Sequence, residues 1–279
     1  MGKGTTVGEL LAWAAAALGK TRAPGWEARR ALRLATGEYA LPPGTRLSPF
    51  ERGRFRRAVE ARARGVPWPV LEETTGFLDF EVLVPPGVFI PRPETEELAE
   101  LAVAEFRQAP AQPRALDLGT GTGVLALALA RARPDGEVWA VDVSVRALRA
   151  ARRNAARLGV KNVRIVRSDL FSEVAGRFHL IVANPPYVAR ADLSGLPREV
   201  RAFEPRRALD GGKNGLELTL RILHEAPGFL AEKGVVLLEI APSQGEKLCW
   251  AVEAQGTWRE IQVVSDLSGR PRFFLGRRC

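Results

Sequence analysis

The chain has 279 residues, of which 46% are hydrophobic and 26% charged, a composition that fits a globular protein with a main domain and a smaller one. It has no apolar run near the roughly 18 residues that span a bilayer, and Met1–Gly4 lacks the apolar segment of a signal peptide. We therefore expect a cytoplasmic protein without a membrane partner.

The formal net charge of +9 suits an acidic protein, a ribosome or a nucleic acid and does not choose among them. Two Cys and two His without suitably spaced carboxylates predict no metal site.

The N-terminal part of the chain is predicted to form a small helical bundle over residues 1–72. Apolar residues recur at helical spacing in three segments. These segments are Val7–Leu18, Trp26–Thr36 and Pro49–Ala63. Ser48 followed by Glu51 is the pattern of a capping box and places the start of the third helix. Six arginines fall within Arg52–Arg64, and they form either a solvated helix face or a docking surface.

A β-hairpin is predicted next, because apolar residues alternate along Gly76–Val84 and Pro85-Pro-Gly87 closes the segment. We assign residues 73–90 to a hairpin linker and residues 91–279 to the main domain, which opens with a helix near Glu94.

Strand-like and helix-like segments alternate from Arg114 onward. The predicted strands are Ala115–Leu118, Glu137–Val141, Val163–Val166, Leu180–Ala183 and Gly234–Ile240, and the predicted helices are Val124–Ala132, Val145–Leu158, Leu216–Leu230 and Gln244–Gln255. Such alternation predicts an α/β fold with a parallel sheet between two helical layers. Two closing strands, Trp258–Val264 and Pro271–Leu275, have no helix between them. We therefore expect an antiparallel hairpin at one edge of the sheet.

A glycine-rich turn follows the first strand of this domain. The segment Asp117-Leu-Gly-Thr-Gly-Thr-Gly123 opens a helix, whose N-terminus offers free N–H groups to a ligand. Asp142 ends the second strand about twenty residues later, where an acid can bind ribose hydroxyls. This pair predicts an adenosine-type ligand. Val124 stands in place of the third dinucleotide-fold glycine, which disfavours a dehydrogenase.

Two further segments narrow the chemistry. Ser168-Asp169-Leu170 follows the third strand, where Asp169 can accept from an adenine amino group and Leu170 can cover the ring. Asn184-Pro-Pro-Tyr187 follows the fourth strand, and its prolines make a stiff loop with free carbonyls. The Asn184 side-chain oxygen and the Pro185 carbonyl can together accept from one NH2 group, while Tyr187 packs over its plane.

On these residues the chain resembles the bacterial and organellar protein-(glutamine-N5) methyltransferases, which modify peptide-chain release factors. The resemblance spans roughly residues 73–279 and includes four further segments. These are Phe89–Glu96, Glu204–Leu216, Leu238–Glu246, with Ala241 where the family usually has Gly, and Asp266–Phe273. It implies a seven-stranded Rossmann-like S-adenosylmethionine-dependent methyltransferase domain, preceded by a helical substrate-recognition domain.

The resemblance also implies which residues form the site. The cofactor, S-adenosyl-L-methionine, is expected at Gly119, Thr120, Gly121, Thr122, Gly123, Asp142, Asp169, Leu170 and Asn184. The glutamine is expected at Asn184, Pro185, Pro186 and Tyr187, with Phe89, Arg92, Pro93 and Thr95 at the pocket entrance. Asn184, Pro185 and Tyr187 would be catalytic. The family often has an aromatic residue where this chain has Leu170, so that contact loses stacking.

The implied substrate is the Gly-Gly-Gln loop of a release factor, with no requirement for nucleic acid, and we favour a monomer. We expect catalysis by orientation, because no His, Cys or Lys base is evident beside Asn184. One alternative is a nucleic-acid amino-methyltransferase, since Asn-Pro-Pro-Tyr also occurs in adenine-N6 DNA methyltransferases. Against it, the sequence shows no target-recognition domain and no interleaving of basic and aromatic residues. The other alternative is a noncatalytic adaptor for a ribosome or protein.

Overall fold

The computed structural model describes residues 5–253 and 256–279. Two compact units divide the chain, Met1–Glu73 and Thr74–Cys279. Among the described residues, no helix combines the length and apolar character that a membrane crossing needs.

The first unit is a helical bundle, as predicted. Its helices are α1 (Val7–Ala17), α2 (Pro24–Thr36), α3 (Pro49–Ala63) and α4 (Trp68–Glu72). The predicted capping box is confirmed, because the Glu51 amide donates to Ser48 Oγ at 3.2 Å and the Ser48 amide donates to Glu51 Oε2 at 2.8 Å. α4 was not foreseen, since five residues are too short for a clear helical period.

Ion pairs and small apolar side chains hold this bundle together. Arg62 on α3 pairs with Glu27 on α2 at 2.8 Å, and Arg30 pairs with Glu72. Alanines and leucines on the facing sides of the helices are buried, so the helices approach closely.

Arginines on the surface of the first unit stack over aromatic rings. The guanidinium carbon of Arg54 lies 5.9 Å from the Phe50 ring centroid, and that of Arg56 lies 5.5 Å from Trp13. Our statement that basic and aromatic residues do not interleave was therefore wrong for this surface. The pair of Arg56 and Trp13 cannot be read from the sequence, because Arg56 lies on α3 and Trp13 on α1.

The hairpin belongs to the second unit. Its strands β1 (Thr74–Phe77) and β2 (Phe80–Leu83) are antiparallel, as predicted. Arg131 binds both carboxylate oxygens of Asp79 at 2.7 and 2.8 Å, and the Leu83 amide donates to Asn154 Oδ1 at 2.7 Å. These contacts attach the hairpin to the sheet domain, whereas our division had set residues 73–90 apart as a linker.

A seven-stranded sheet forms the centre of the second unit, as the family resemblance implied. Its strands are β3 (Arg114–Leu118), β4 (Glu137–Asp142), β5 (Val163–Arg167), β6 (Phe178–Ala183), β7 (Leu230–Glu239), β8 (Trp258–Ser265) and β9 (Pro271–Arg278). The spatial order is β5-β4-β3-β6-β7-β9-β8. The first five are parallel, and β9 runs antiparallel between β7 and β8. The predicted edge hairpin is confirmed.

The helices of the second unit follow the predicted alternation with local differences. They are α5 (Pro93–Gln108), α6 (Val124–Ala132), α7 (Val145–Arg157), α8 (Arg198–Phe203), α9 (Glu217–Glu225) and α10 (Gly245–Glu253). The helix predicted over Leu216–Leu230 was too long, because Pro227 and Gly228 end it in a 3₁₀ turn. The predicted end of the last helix, residues 254 and 255, lies outside the described residues.

The strand order fixes where a ligand can bind. β3 and β6 are neighbours although they are separated by β4 and β5 in sequence, so the chain reverses its direction of winding between them. In open parallel sheets the ligand binds at this switch point, beyond the carboxyl ends of the strands. The glycine turn follows β3 and the Asn-Pro-Pro-Tyr loop follows β6, and both therefore lie at this position.

Candidate active site

The glycine-rich turn joins β3 to α6 in a conformation that requires glycine. Gly123 caps the helix with φ of +91°, in the left-handed region. A Cβ there would lie 3.1 Å from the Cβ of Ala151 on α7. The turn is further held by the Thr120 amide, which donates to the Val141 carbonyl at 2.9 Å. Val124 and Leu125, the first two residues of α6, line the cavity.

Asp142 connects the end of β4 to this turn. Its Oδ2 accepts from the Gly121 amide at 3.0 Å, and its Oδ1 accepts from the Ser144 amide at 2.7 Å. Burial raises the pKa of Asp142 above its usual range, and the two amide donors oppose the shift. Each carboxylate oxygen keeps a lone pair for a further donor, as a ribose diol would provide.

Asp117 is a buried acid whose role the sequence did not reveal. It is 1% exposed, and its Oδ2 accepts from Thr120 Oγ1 at 2.6 Å and from the Ala126 amide at 3.1 Å. Its Oδ1 is buried without a partner among the described residues. Burial raises the pKa of Asp117 to about 7. An acid at the end of an apolar strand, three residues before Thr120, is the signal that could have indicated it.

The turn after β5 presents Leu170 to the cavity. Leu170 has φ of +47°, a conformation that costs a non-glycine residue energy. The buried Ser168 stabilises it, because its Oγ donates to the Leu170 carbonyl at 2.7 Å. Asp169 lies at the exposed rim, where its carboxylate pairs with Arg221 at 2.9 Å. An adenine amino group would therefore share Asp169 with that arginine.

The Asn-Pro-Pro-Tyr loop leaves β6 with two free acceptors. Asn184 donates from Nδ2 to Thr95 Oγ1 at 2.9 Å. Within the part of the chain that the structure describes, no hydrogen-bond donor reaches Asn184 Oδ1 or the Pro185 carbonyl. Two acceptors from consecutive residues match the two N–H bonds of one planar NH2 group.

Tyr187 and the following loop are held from behind. The Tyr187 hydroxyl donates to Glu239 Oε1 at 3.2 Å, and burial beside that acid raises the pKa of the phenol. Gln244 Nε2 donates to the Tyr187 carbonyl at 3.1 Å and to the Gly215 carbonyl at 2.9 Å. Gly215 has φ of +73°, and a Cβ there would collide with the Tyr187 carbonyl. Glycine is thus required where the two loops meet.

Some of the residues predicted at the entrance line the cavity, and the others hold the entrance segment in place. Phe89 and Thr95 line the cavity. Arg92 pairs with Glu204, whose side chain is 1% exposed, and lies 5.0 Å from the Phe89 ring centroid. Burial raises the pKa of Glu204, and Arg92 opposes the shift. Pro93 is the first residue of α5. Arg92 therefore ties the entrance segment to the loop after α8.

One cavity of about 210 Å³ brings these elements together. Of the predicted site residues, those that line it are Phe89, Thr95, Gly119, Thr120, Gly121, Thr122, Asp142, Asp169, Leu170, Asn184 and Pro186. Gly123, Pro185, Tyr187, Arg92 and Pro93 lie behind or beside it. Sequence reasoning missed Ser144 and Leu218, which belong to no motif, and Arg207, which lies in the family segment Glu204–Leu216 without having been assigned a role.

The residues present fit an adenosine-type cofactor with a sulfonium group. The cavity offers backbone amides, the Asp142 carboxylate for hydroxyls and the apolar Leu170 side chain for a ring. Among the described lining residues there is no His, Cys or Lys. The two carboxylates that line it are already engaged, Asp142 by the Gly121 and Ser144 amides and Asp169 by Arg221.

Comparison with known proteins supports the methyltransferase fold. The methyltransferase small domain family matches residues 79–196. A 16S rRNA N2 G1207 methyltransferase of T. Thermophilus, solved in complex with AdoMet and guanosine, shares the fold, with a TM-score of 0.51 and 21% identity over 74% of this chain and 50% of that one.

Two curated relatives identify the family. The release factor glutamine methyltransferase of Moorella thermoacetica is 40% identical over 235 residues, 83% of this chain and 82% of the relative. That of Cereibacter sphaeroides is 38% identical over 258 residues, 90% of this chain and 91% of the relative. With this identity over most of each chain, the protein described here belongs to the family of release factor glutamine methyltransferases.

Proposed function

We propose that this protein transfers the methyl group of S-adenosylmethionine to the N5 nitrogen of a glutamine in the Gly-Gly-Gln loop of peptide-chain release factors. The observation that carries the proposal is a pair of acceptors without a donor among the described residues, Asn184 Oδ1 and the carbonyl of the adjacent Pro185, of which Asn184 lines the cavity. A primary amide carries two N–H bonds on one nitrogen, and two acceptors can hold both. The shared family with release factor glutamine methyltransferases supports the substrate.

The cofactor supplies an electrophilic methyl group when it is bound. Asp142 would accept from its ribose hydroxyls, and Leu170 would cover one face of its adenine ring. Amides at the start of α6 would bind its carboxylate, because those of Thr120, Gly121 and Gly123 already donate within the protein. Asp169 at the rim would accept from the adenine amino group while keeping its pair with Arg221.

Asn184 and Pro185 act on the other reactant. The lone pair of an amide nitrogen is delocalised into its carbonyl, so an unassisted glutamine is a poor nucleophile. Two acceptors that hold the NH2 group aim its lone pair at the methyl carbon and favour pyramidal geometry at nitrogen. Such orientation can contribute several kcal/mol, up to roughly 7–11 in ideal cases. The methylated nitrogen then releases its extra proton to solvent, without a dedicated base.

The first unit supplies a surface for another part of the release factor. Residues 1–73 carry thirteen Lys or Arg against seven Asp or Glu, a net charge of +6, whereas residues 74–279 carry twenty-eight against twenty-five. Most of the net positive charge thus lies on a quarter of the chain, which favours an acidic region of the protein substrate. We further propose that the enzyme acts in the cytoplasm, as a monomer, and requires no nucleic acid.

Transfer of labelled methyl from S-adenosylmethionine to purified release factor tests the proposal. A release factor with Gln→Ala in its Gly-Gly-Gln loop serves as matched control, and bulk DNA and rRNA serve as parallel acceptors. Label on the wild-type factor alone is the expected result. Label on nucleic acid with none on the factor would move the activity to a nucleic-acid amino-methyltransferase. Cofactor binding without transfer to any acceptor would instead support a noncatalytic adaptor.

A further inference from the structure

A buried carboxylate lies behind the Asn-Pro-Pro-Tyr loop, outside the set of residues expected to bind the cofactor or the glutamine. Glu239 is the last residue of β7 and is 1% exposed. Its Oε2 accepts from Thr95 Oγ1 at 2.8 Å, and its Oε1 accepts from the Tyr187 hydroxyl at 3.2 Å. It does not line the cavity, although Thr95 does. Both of its oxygens therefore act on residues that border the substrate position.

The Thr95 hydroxyl has one proton, and its use decides the direction of the neighbouring hydrogen bond. Because that proton is donated to Glu239, the Thr95 oxygen can only accept from its other neighbour, Asn184. The Asn184 amide must therefore turn its NH2 group toward Thr95 at 2.9 Å and its Oδ1 away. The reversed amide would place two acceptors against each other and lose this hydrogen bond.

We propose that Thr95 and Glu239 are positioning residues for methyl transfer, which set the Asn184 amide and the Tyr187 ring in the orientation that receives the glutamine NH2 group. The proposal rests on the function proposed above and extends it from the loop to the residues behind it. Without the pair, Asn184 could present its own NH2 group to the substrate. Two donors would then face each other, and the substrate nitrogen would lose one of its two acceptors.

The charge on Glu239 connects this arrangement to pH. Arg272 on β9 lowers the pKa of Glu239 and Glu94 on α5 raises it, but burial dominates and places it at about 7. Among the described residues, the carboxylate accepts hydrogen bonds from the Thr95 and Tyr187 hydroxyls. A protonated Glu239 can donate to the Thr95 oxygen, and the freed Thr95 proton can then bind Asn184 Oδ1 in the reversed amide orientation. We therefore expect kcat to fall as the pH decreases through this range.

Variants at Thr95 provide the direct test, with kcat for release factor methylation as the readout. Thr95→Val removes the hydroxyl at nearly constant volume and is expected to lower kcat at least tenfold. Thr95→Ser keeps the hydroxyl and should stay within about threefold of wild type. The matched control is Thr219→Val on α9, because Thr219 is fully buried and its hydroxyl has no partner among the described residues. It should leave kcat unchanged.

Equal kcat for Thr95→Val and Thr95→Ser, or equal losses in Thr95→Val and the Thr219 control, would overturn the proposal.

Glu239→Gln provides a second test if the valine variant does not fold. Its kcat is expected to lose the acidic limb of the wild-type pH profile, while its affinity for S-adenosylmethionine stays within about threefold. An unchanged limb would also refute the proposal. A wild-type enzyme that labels no acceptor would refute the proposed function itself. If the wild type is active, the variants test only the positioning role of Thr95 and Glu239.

Discussion

The two sides of the cavity are held together in different ways. On the cofactor side, hydrogen bonds join residues that are close in sequence: Asp117 reaches Thr120 and Asp142 reaches Gly121, 3 and 21 residues away. On the substrate side, Asn184 bonds to Thr95 across 89 residues, and Thr95 bonds to Glu239 across 144. The glycine turn and the ribose-binding acid are thus set within the β3–α6–β4 unit, whereas the substrate side requires the whole sheet domain. Changes on the two sides should have separable effects on cofactor binding and on turnover.

The largest expected effect lies on the substrate side. Asn184→Ala removes the Oδ1 acceptor and should lower kcat about 10²–10³-fold, the usual loss for one preorganised group in an active site. The cofactor dissociation constant, measured by titration calorimetry, should change less than about fivefold. Equal losses in turnover and cofactor affinity would remove the distinction between the two sides.

Asn162 offers a matched control for this substitution. Its Nδ2 donates to three backbone carbonyls, those of Ala130, Arg133 and Gly136, and it does not line the cavity. Asn162→Ala should therefore lower the melting temperature and leave kcat near the wild-type value. A comparable loss of kcat in this variant would show that stability, and not the Asn184 acceptor, governs turnover.

Each side also contains one buried acid whose pKa is raised to about 7, Asp117 and Glu239. Because both bind protons more tightly in the folded state, the free energy of unfolding should decrease as the pH rises from about 4 to about 7 and then level off. The decrease should be on the order of 3 kcal/mol per group. Denaturant unfolding of wild type, Asp117→Asn and Glu239→Gln at pH 5 and pH 8 measures it. Each variant should lose part of the pH dependence, and a variant with the full wild-type difference would contradict the assignment.

A smaller effect is expected for the ribose-binding acid. Asp142→Ala removes the acceptor for the cofactor hydroxyls and frees the Gly121 and Ser144 amides. We expect cofactor affinity to fall roughly 10–100-fold, about 1.4–2.7 kcal/mol, with a smaller change in kcat at saturating cofactor. Asp135→Ala is the control, since Asp135 is paired with Arg133 at an exposed position. A loss in kcat alone would place Asp142 on the substrate side.

The smallest expected effect concerns Leu170. An aromatic ring there would stack on adenine, so Leu170→Phe should tighten cofactor binding by a few-fold, or about 0.5–1 kcal/mol. Cofactor titration measures the change. Weaker binding would show that the left-handed turn, with φ of +47°, holds the larger side chain away from the ring.

The features that the sequence predicted are those encoded by short-range patterns. Buried strands of the parallel sheet appear as continuous apolar runs, and the Ser48–Glu51 cap and the glycine turn depend on residues a few positions apart. The end of α9 was predicted wrongly because the apolar residues around Pro227 and Gly228 already belong to the approach to β7.

The support behind the substrate position could not be predicted from the sequence. Glu204 stands in a polar stretch, and only the folded chain shows that it is buried beside Arg92. Thr95 was expected at the entrance for its place in a motif, and its partner Glu239 is an acid at the end of an apolar strand. Local sequence does not contain such pairings, because the sheet brings the residues together from distant positions.

The placement of β9 also determines when the site can form during synthesis. β9 is the last strand of the seven-stranded sheet to be synthesised, yet it lies inside the sheet, between β7 and β8. There Phe273 pairs with Glu239, and Arg272 contributes charge near that acid. The β3–α6–β4 unit can fold while later strands are still being made, since its contacts are local. The carboxylate behind Asn184 reaches its final surroundings only after β9 has been synthesised and inserted. A nascent chain can therefore form the glycine turn and its contact with Asp142 before the support behind Asn184 is complete.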